Sequence, residues 1–177
     1  MPGKSESEQK ARRVRCFVLD VDGVLTDGRI FLDGGEEELK AFDVKDGQRL
    51  VMAGKQGLRV VFLTGRSSAA VSRRAAELAV DRVCQGAGDK GSALLRLLEE
   101  EGLGEEEIAY MGDDLADLPA MRRAGFSGAP GDAVPEVIDA ADWVSGAAGG
   151  RGAVREFVEY VLRSQGIWEK AVAEFEG

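Results

Sequence analysis

Short apolar runs alternate with helix-patterned segments along most of this chain, and that alternation leaves few folds open. "VRCFVLD", "LRVVFLT", "DRVCQ", "IAYMGD", "GFSGA" and "DWVS" read as strands. Between them "GQRLVMAGKQ", "SAAVSRRAAEL", "KGSALLRLLEEE", "LADLPAMRRA", "AVPEVIDAA" and "GAVREFVEYVLRS" carry helical spacing. Parallel strands need long crossovers, which helices supply, and strands buried on both faces lose their apolar–polar alternation. The pattern therefore predicts an α/β fold: a doubly wound, mostly parallel, Rossmann-like sheet with helices on both faces.

One segment departs from the pattern. "GRIFLDGGEEELKAFD" reads as two short strands around Asp33-Gly34-Gly35, a β-hairpin projecting beside the sheet. No second block is large enough for a lid domain. The polar start predicts a flexible arm over residues 1–13, a single domain over 14–166 and a tail over 167–177. That start has no apolar core, so no secretory signal is expected.

Composition narrows the chemistry. The 177 residues carry a net charge of −9, which argues against nucleic acid or an anionic membrane as a general partner. No apolar run approaches the roughly 20 residues of a membrane span. Cys16 and Cys84 read as packing residues of a reducing, cytoplasmic compartment. The chain has no histidine, which excludes His-based triads and imidazole acid–base chemistry. Catalysis must run on carboxylates, lysine, hydroxyls, thiols or a bound metal.

Polar clusters fall at the predicted carboxyl ends of strands, the edge where open α/β sheets bind ligands. Asp20 and Asp22 close the first strand, and their repulsion must be offset by a cation, a shared proton or exposure to water. With a hard cation such as Mg²⁺ beside it, Asp20 becomes a candidate nucleophile and Asp22 a candidate general acid and base. The plain alternative is a carboxylate pair capping a turn. Thr64 and Gly65 offer a hydroxyl and free backbone N–H groups for phosphate oxygens, or Thr64 simply caps a helix. Lys90 opens a helix, an unfavourable end for a cation unless it faces an anion. Asp113 is expected to complete a metal site, with Asp117 orienting Lys90 or a metal-bound water.

Taken together, "DVDGVLTDG", "LTG", "DK" at Asp89-Lys90 and "GDDLAD" resemble the haloacid dehalogenase-type phosphohydrolases, capless branch, from Val14 to about Gly166. More narrowly, "GEEELKAFDVKDG", "TGR", "YMGDDLAD" and "GGRGAVREFVEYVL" are similar to the family of 3-deoxy-D-manno-octulosonate 8-phosphate phosphatases.

That resemblance implies Mg²⁺ held by Asp20, Asp113 and the backbone carbonyl of Asp22, with Asp20 as nucleophile and Asp22 as acid and base. It places Thr64, Gly65 and Lys90 on the phosphate. It assigns substrate contacts to Asp22, to the run Asp43, Val44, Lys45, Asp46 and Gly47, and to Arg66 and Arg74. Arginine binds carboxylates bidentately, and on one helix Arg66 and Arg74 would stand about two turns apart and could share a face; the plain alternative is two surface charges. Arg49 is a candidate to replace a basic residue that some relatives carry where this chain has Val51.

The resemblance also implies a homotetramer built through the hairpins, with the tail reaching a neighbour's site. Arg66 and Glu77 favour an eight-carbon over a nine-carbon sugar-acid phosphate. Two further alternatives are a receiver-type signalling domain, which needs no acid at Asp22, and a non-catalytic assembly module.

Overall fold

The strand made by Cys16–Leu19 (β1) has four consecutive buried residues, and the fold is built outward from it. The computed structural model describes residues 4–32 and 38–175. On one side β1 pairs with Arg59–Leu63 (β4), which pairs with Arg82–Cys84 (β5). On the other it pairs with Ile108–Met111 (β6), followed by Phe126–Ala129 (β7) and Trp143–Val144 (β8). All these pairings are parallel, in the order β5-β4-β1-β6-β7-β8. The chain runs outward from β1 to β5 and then returns to the far side of β1. That reversal opens a crevice at the carboxyl end of β1.

Alternation along β1 feeds two cores. Phe17 and Leu19 face one core with Phe62, Phe126 and Phe157, covered by helices Val44–Lys55 (α2), Ala69–Glu77 (α3) and Ala153–Ser164 (α7). Cys16 and Val18 face the other, with Leu63, Leu94 and Tyr110. Helices Lys90–Glu101 (α4), Leu118–Met121 (α5) and Pro135–Ala140 (α6) cover that side. Phe157 is fully buried, stacks on Phe126 at 5.3 Å and meets Phe17 edge-on at 6.0 Å. Burying such a ring contributes about 1.5–3 kcal/mol. Cys16 and Cys84 are free thiols, and burial pushes Cys16 up to about 12, so it packs rather than reacts.

Two expectations need correction. Residues 4–11 form a helix (α1) rather than a frayed arm: Ser7 Oγ donates to Asp142 O at 2.9 Å, and Lys10 pairs with Asp142 at 2.6 Å. Arg66 lies ahead of α3 and only Arg74 lies within it, so the two share no helix. The predicted tail carries a further helix, Trp168–Ala173 (α8), with the Trp168 ring under Arg163 at 4.4 Å and Arg49 at 5.5 Å.

The hairpin strands Phe31–Leu32 (β2) and Glu38–Leu39 (β3) pair antiparallel, apart from the main sheet. Its predicted turn at Asp33-Gly34-Gly35 lies outside the described residues.

Candidate active site

Asp20 continues the sheet one residue past β1, its N–H donating to Met111 O at 3.0 Å. The chain then coils tightly, with the N–H groups of Leu25 and Thr26 returning to Val21 O at 2.9 and 3.0 Å. Gly23 makes this turn possible. Its φ is +92°, and a Cβ there would fall 1.9 Å from Asp113 Oδ2. The loop at Gly149-Gly150 seals the turn from outside, with Gly150 N–H donating to Val24 O at 2.9 Å.

Carboxylate oxygens of Asp20, Asp113 and Asp117 come within 4.8 Å of one another at the ends of β1 and β6. Lys90, from the first position of α4, reaches Asp20 Oδ1 at 2.9 Å and Asp117 Oδ1 at 2.6 Å. Those two anions explain a lysine at the wrong end of a helix dipole. Asp117 is saturated: Oδ1 also accepts from Tyr110 Oη at 2.7 Å, and Oδ2 takes the N–H groups of Asp113 at 3.1 Å and Asp114 at 3.2 Å. It orients its neighbours and has little left for a ligand.

Asp20 and Asp113 differ in that respect. Asp113 Oδ1 is buried without a donor. Burial, then the charges of Asp20 and Asp117, pushes Asp113 up to about 8, while burial and Asp117 push Asp20 up to about 6. Burial works against the Lys90 ammonium, yet Asp20 and Asp117 raise its pKa and keep it charged. Three carboxylates against one ammonium leave excess negative charge in a half-closed space. A divalent cation among oxygen ligands is what that donor set fits. A groove of 810 Å³ lies at the amino end of β1 beside Arg12, Arg15 and Arg163, away from this cluster.

The remaining predicted residues divide. Thr64 is buried at the end of β4, its N–H bonded to Cys84 O at 2.9 Å and its hydroxyl accepting from Arg66 N–H at 3.3 Å. Ser68, not Thr64, is the N-cap of α3, and Gly65 stands exposed beside Thr64.

The Asp22 side chain is turned to Lys40 and stands apart from the three-carboxylate cluster. Arg66 pairs with Glu38 at 2.9 Å. Arg74 lies against the 43–47 run, donating to Asp43 O at 3.4 Å, and a Cβ on Gly47 would strike its guanidinium at 2.3 Å.

Within that run Val44 and Lys45 are exposed, while the two acids serve the backbone. Asp43 caps α2 through the N–H groups of Lys45 and Asp46. Asp46 is buried and accepts from Arg155 N–H at 2.7 Å and Gly152 N–H at 3.3 Å at the start of α7. It is a helix cap, not a group facing the crevice. Arg49 likewise turns inward, to Glu159 at 2.8 Å. Glu38 and Lys40 belong to none of the strand-end clusters that the sequence marks out. Their period-two spacing on a hairpin strand was the available signal.

Known proteins share this sequence and fold. Residues 82–157 match the family of haloacid dehalogenase-like hydrolases. A 3-deoxy-D-manno-octulosonate 8-phosphate phosphatase of Escherichia coli is 42% identical over 170 residues, 96% of this chain and 90% of that protein. One from Haemophilus influenzae is 38% identical over 90% of this chain and 88% of its own length.

The crystal structure of the phosphatase of that name from Moraxella catarrhalis, in complex with magnesium ion, phosphate ion and KDO, superposes with a TM-score of 0.95. It is 39% identical and covers 98% of this chain and 99% of its own. The cobalt-bound Haemophilus influenzae enzyme gives a TM-score of 0.88 at 38% identity, covering 90% of this chain and 94% of its own. A saturated Asp117, a lysine held between two acids and a relative this similar over nearly the whole length place the chain in one group: it belongs to the 3-deoxy-D-manno-octulosonate 8-phosphate phosphatase family of haloacid dehalogenase-like hydrolases.

Proposed function

We propose that this chain is a Mg²⁺-dependent phosphatase that releases phosphate from 3-deoxy-D-manno-octulosonate 8-phosphate. The observation that carries the proposal is the pairing of Asp20 with Lys90 beside an Asp113 oxygen that has no donor. Asp20, Asp113 and the backbone carbonyl of Asp22 would hold the cation, which supplies Lewis-acid polarisation of the phosphoryl oxygens when bound.

The chain's own groups carry the reaction. A carboxylate oxygen of Asp20 attacks phosphorus, the ester P–O bond breaks, and the departing alkoxide takes a proton from Asp22. Water then attacks the aspartyl phosphate, giving its proton to Asp22, and phosphate leaves with Asp20 restored. Lys90 and Thr64 face the phosphoryl oxygens in this reading, and Gly65 offers its backbone N–H. Arg66 and Arg74 supply cations to the far end of an anionic sugar acid. Asp22 separates this reading from a receiver-type domain, which needs no acid there.

Apolar side chains of the hairpin region support a homotetramer. Phe31, Leu32, Leu39 and Val44 are 52%, 75%, 63% and 76% exposed, apolar surface that association between copies would cover. Free thiols at Cys16 and Cys84 support a cytoplasmic setting, and no helix among the described residues is long and apolar enough to cross a membrane.

A phosphate-release screen over eight- and nine-carbon sugar-acid phosphates and simple phosphomonoesters tests the substrate. The eight-carbon ester should lead. Equal rates on all of them would reduce the assignment to a generic phosphatase.

A further inference from the structure

Two charged side chains of the hairpin stand where the catalytic proposal has no role for them. Lys40 follows β3, and its side chain is wholly shielded from water. Its ammonium is held between the carboxylate of Asp22 and Glu38 Oε1, the latter at 3.3 Å. Glu38 Oε2 in turn holds the Arg66 guanidinium at 2.9 Å. The result is a line of alternating charge, Asp22–Lys40–Glu38–Arg66, which joins the loop after β1 to the loop after β4. Glu38 and Lys40 are two apart on extended chain and turn to the same side. Leu39 between them faces out, 63% exposed.

Burying a lysine ammonium is costly unless carboxylates surround it, and this one spends both its close contacts on two residues at the crevice. A surface lysine would need neither. Lys40 provides the hydrogen bond found at the Asp22 carboxylate, from 18 residues away in sequence. Without it that side chain, partly exposed on a tight loop, is free to change rotamer. An acid that must reach one ester oxygen loses rate steeply with displacement.

We propose that Lys40 is a positioning residue: it fixes the Asp22 carboxylate toward the leaving oxygen and, through Glu38, sets Arg66 at a constant distance across the crevice. This rests on the phosphatase reading above.

The test uses leaving groups. An alkyl phosphate needs a proton delivered to its departing oxygen, whereas 4-nitrophenolate departs largely without one. For each ester kcat/KM reports the steps up to phosphoryl transfer. In Lys40→Met, kcat/KM for the alkyl sugar-acid phosphate should fall at least tenfold further than for 4-nitrophenyl phosphate, and Lys40→Arg should recover part of the difference. Equal falls on both esters would mean a merely structural lysine, and no fall on either would mean a spectator; each overturns the proposal. Should Lys40→Met fail to fold by circular dichroism, Lys40→Met/Glu38→Gln buries one fewer unpaired carboxylate and carries the same comparison. A wild-type enzyme that hydrolyses neither ester would defeat the phosphatase reading itself, and Lys40 with it.

Discussion

Lys90 Nζ and Asp117 Oδ1 stand 2.6 Å apart, with both side chains shielded from water. Neither residue is comfortable alone. The lysine sits at a helix start, where the dipole opposes it, and the aspartate carries a full charge with no solvent. Each is the reason the other can be there. Their pairing leaves one ammonium proton direction for Asp20 and none of the Asp117 oxygens idle.

Asp117→Asn should therefore be severe. An amide keeps the shape, but its NH₂ must face either Lys90 and Tyr110 or the N–H groups of Asp113 and Asp114, donor against donor. Removing one partner of a buried ion pair costs about 3–5 kcal/mol. Urea unfolding should show a loss of that order together with reduced phosphate release. A loss below about 1 kcal/mol would mean that Asp117 is not the anchor of the cluster.

Asp20→Asn separates chemistry from folding. The substitution removes one charge from a crowded set, which relieves Asp113, and it weakens the contact with Lys90. Those effects oppose each other, so the fold should survive. Phosphate release should drop by about three orders of magnitude or more, as expected when a nucleophile is lost. Turnover near wild type would take Asp20 out of the nucleophile's position.

Cation binding can be read without activity. A ligand that binds only the native state adds about 2.7 kcal/mol of stability at one hundred times its dissociation constant. Mg²⁺ should raise the unfolding temperature of the wild type and restore phosphate release lost to a chelator. In Asp113→Asn, where the donorless oxygen is replaced, the rise should vanish. Equal rises in both proteins would place the ion elsewhere.

Much of this architecture was readable from residue order. The strands announced themselves because β1, β4 and β6 are apolar on both faces, and the acids at their ends stand where the chain must leave the sheet. Other features were hidden for physical reasons. The segment "KSESEQKA" has no apolar stripe, and its helix is held by polar contacts to Asp142, more than a hundred residues away. Lys40 meets Asp22 only because a short hairpin folds back. The run "DVKDG" looked like a single binding segment, yet it straddles a helix start. There Asp43 serves as the N-cap, and Asp46, three residues on, turns into the protein.

Asp46 yields a prediction about pH. Burial, against the two N–H groups of Arg155 and Gly152, pushes its carboxyl up to about 6, above the roughly 3.9 of an unfolded chain. The folded protein thus holds the proton more tightly than the unfolded one. Its contribution to stability is complete below about pH 4 and is lost as pH rises through about 6. A shift of this size corresponds to about 3 kcal/mol in the wild type, of which about 2 kcal/mol is lost between pH 4 and 7.

Asp46→Asn keeps an oxygen for Arg155 N–H and has no proton to lose. Between pH 4 and 7 the unfolding free energy of the wild type should fall by that amount relative to the variant, whatever Asp20 and Asp113 contribute to both. Because the side chain caps α7 and does not face the crevice, KM for the sugar-acid phosphate should change less than about twofold. Parallel stability curves would show that the carboxylate is stabilised where it lies, by the dipole of α7. A large rise in KM would return Asp46 to the substrate.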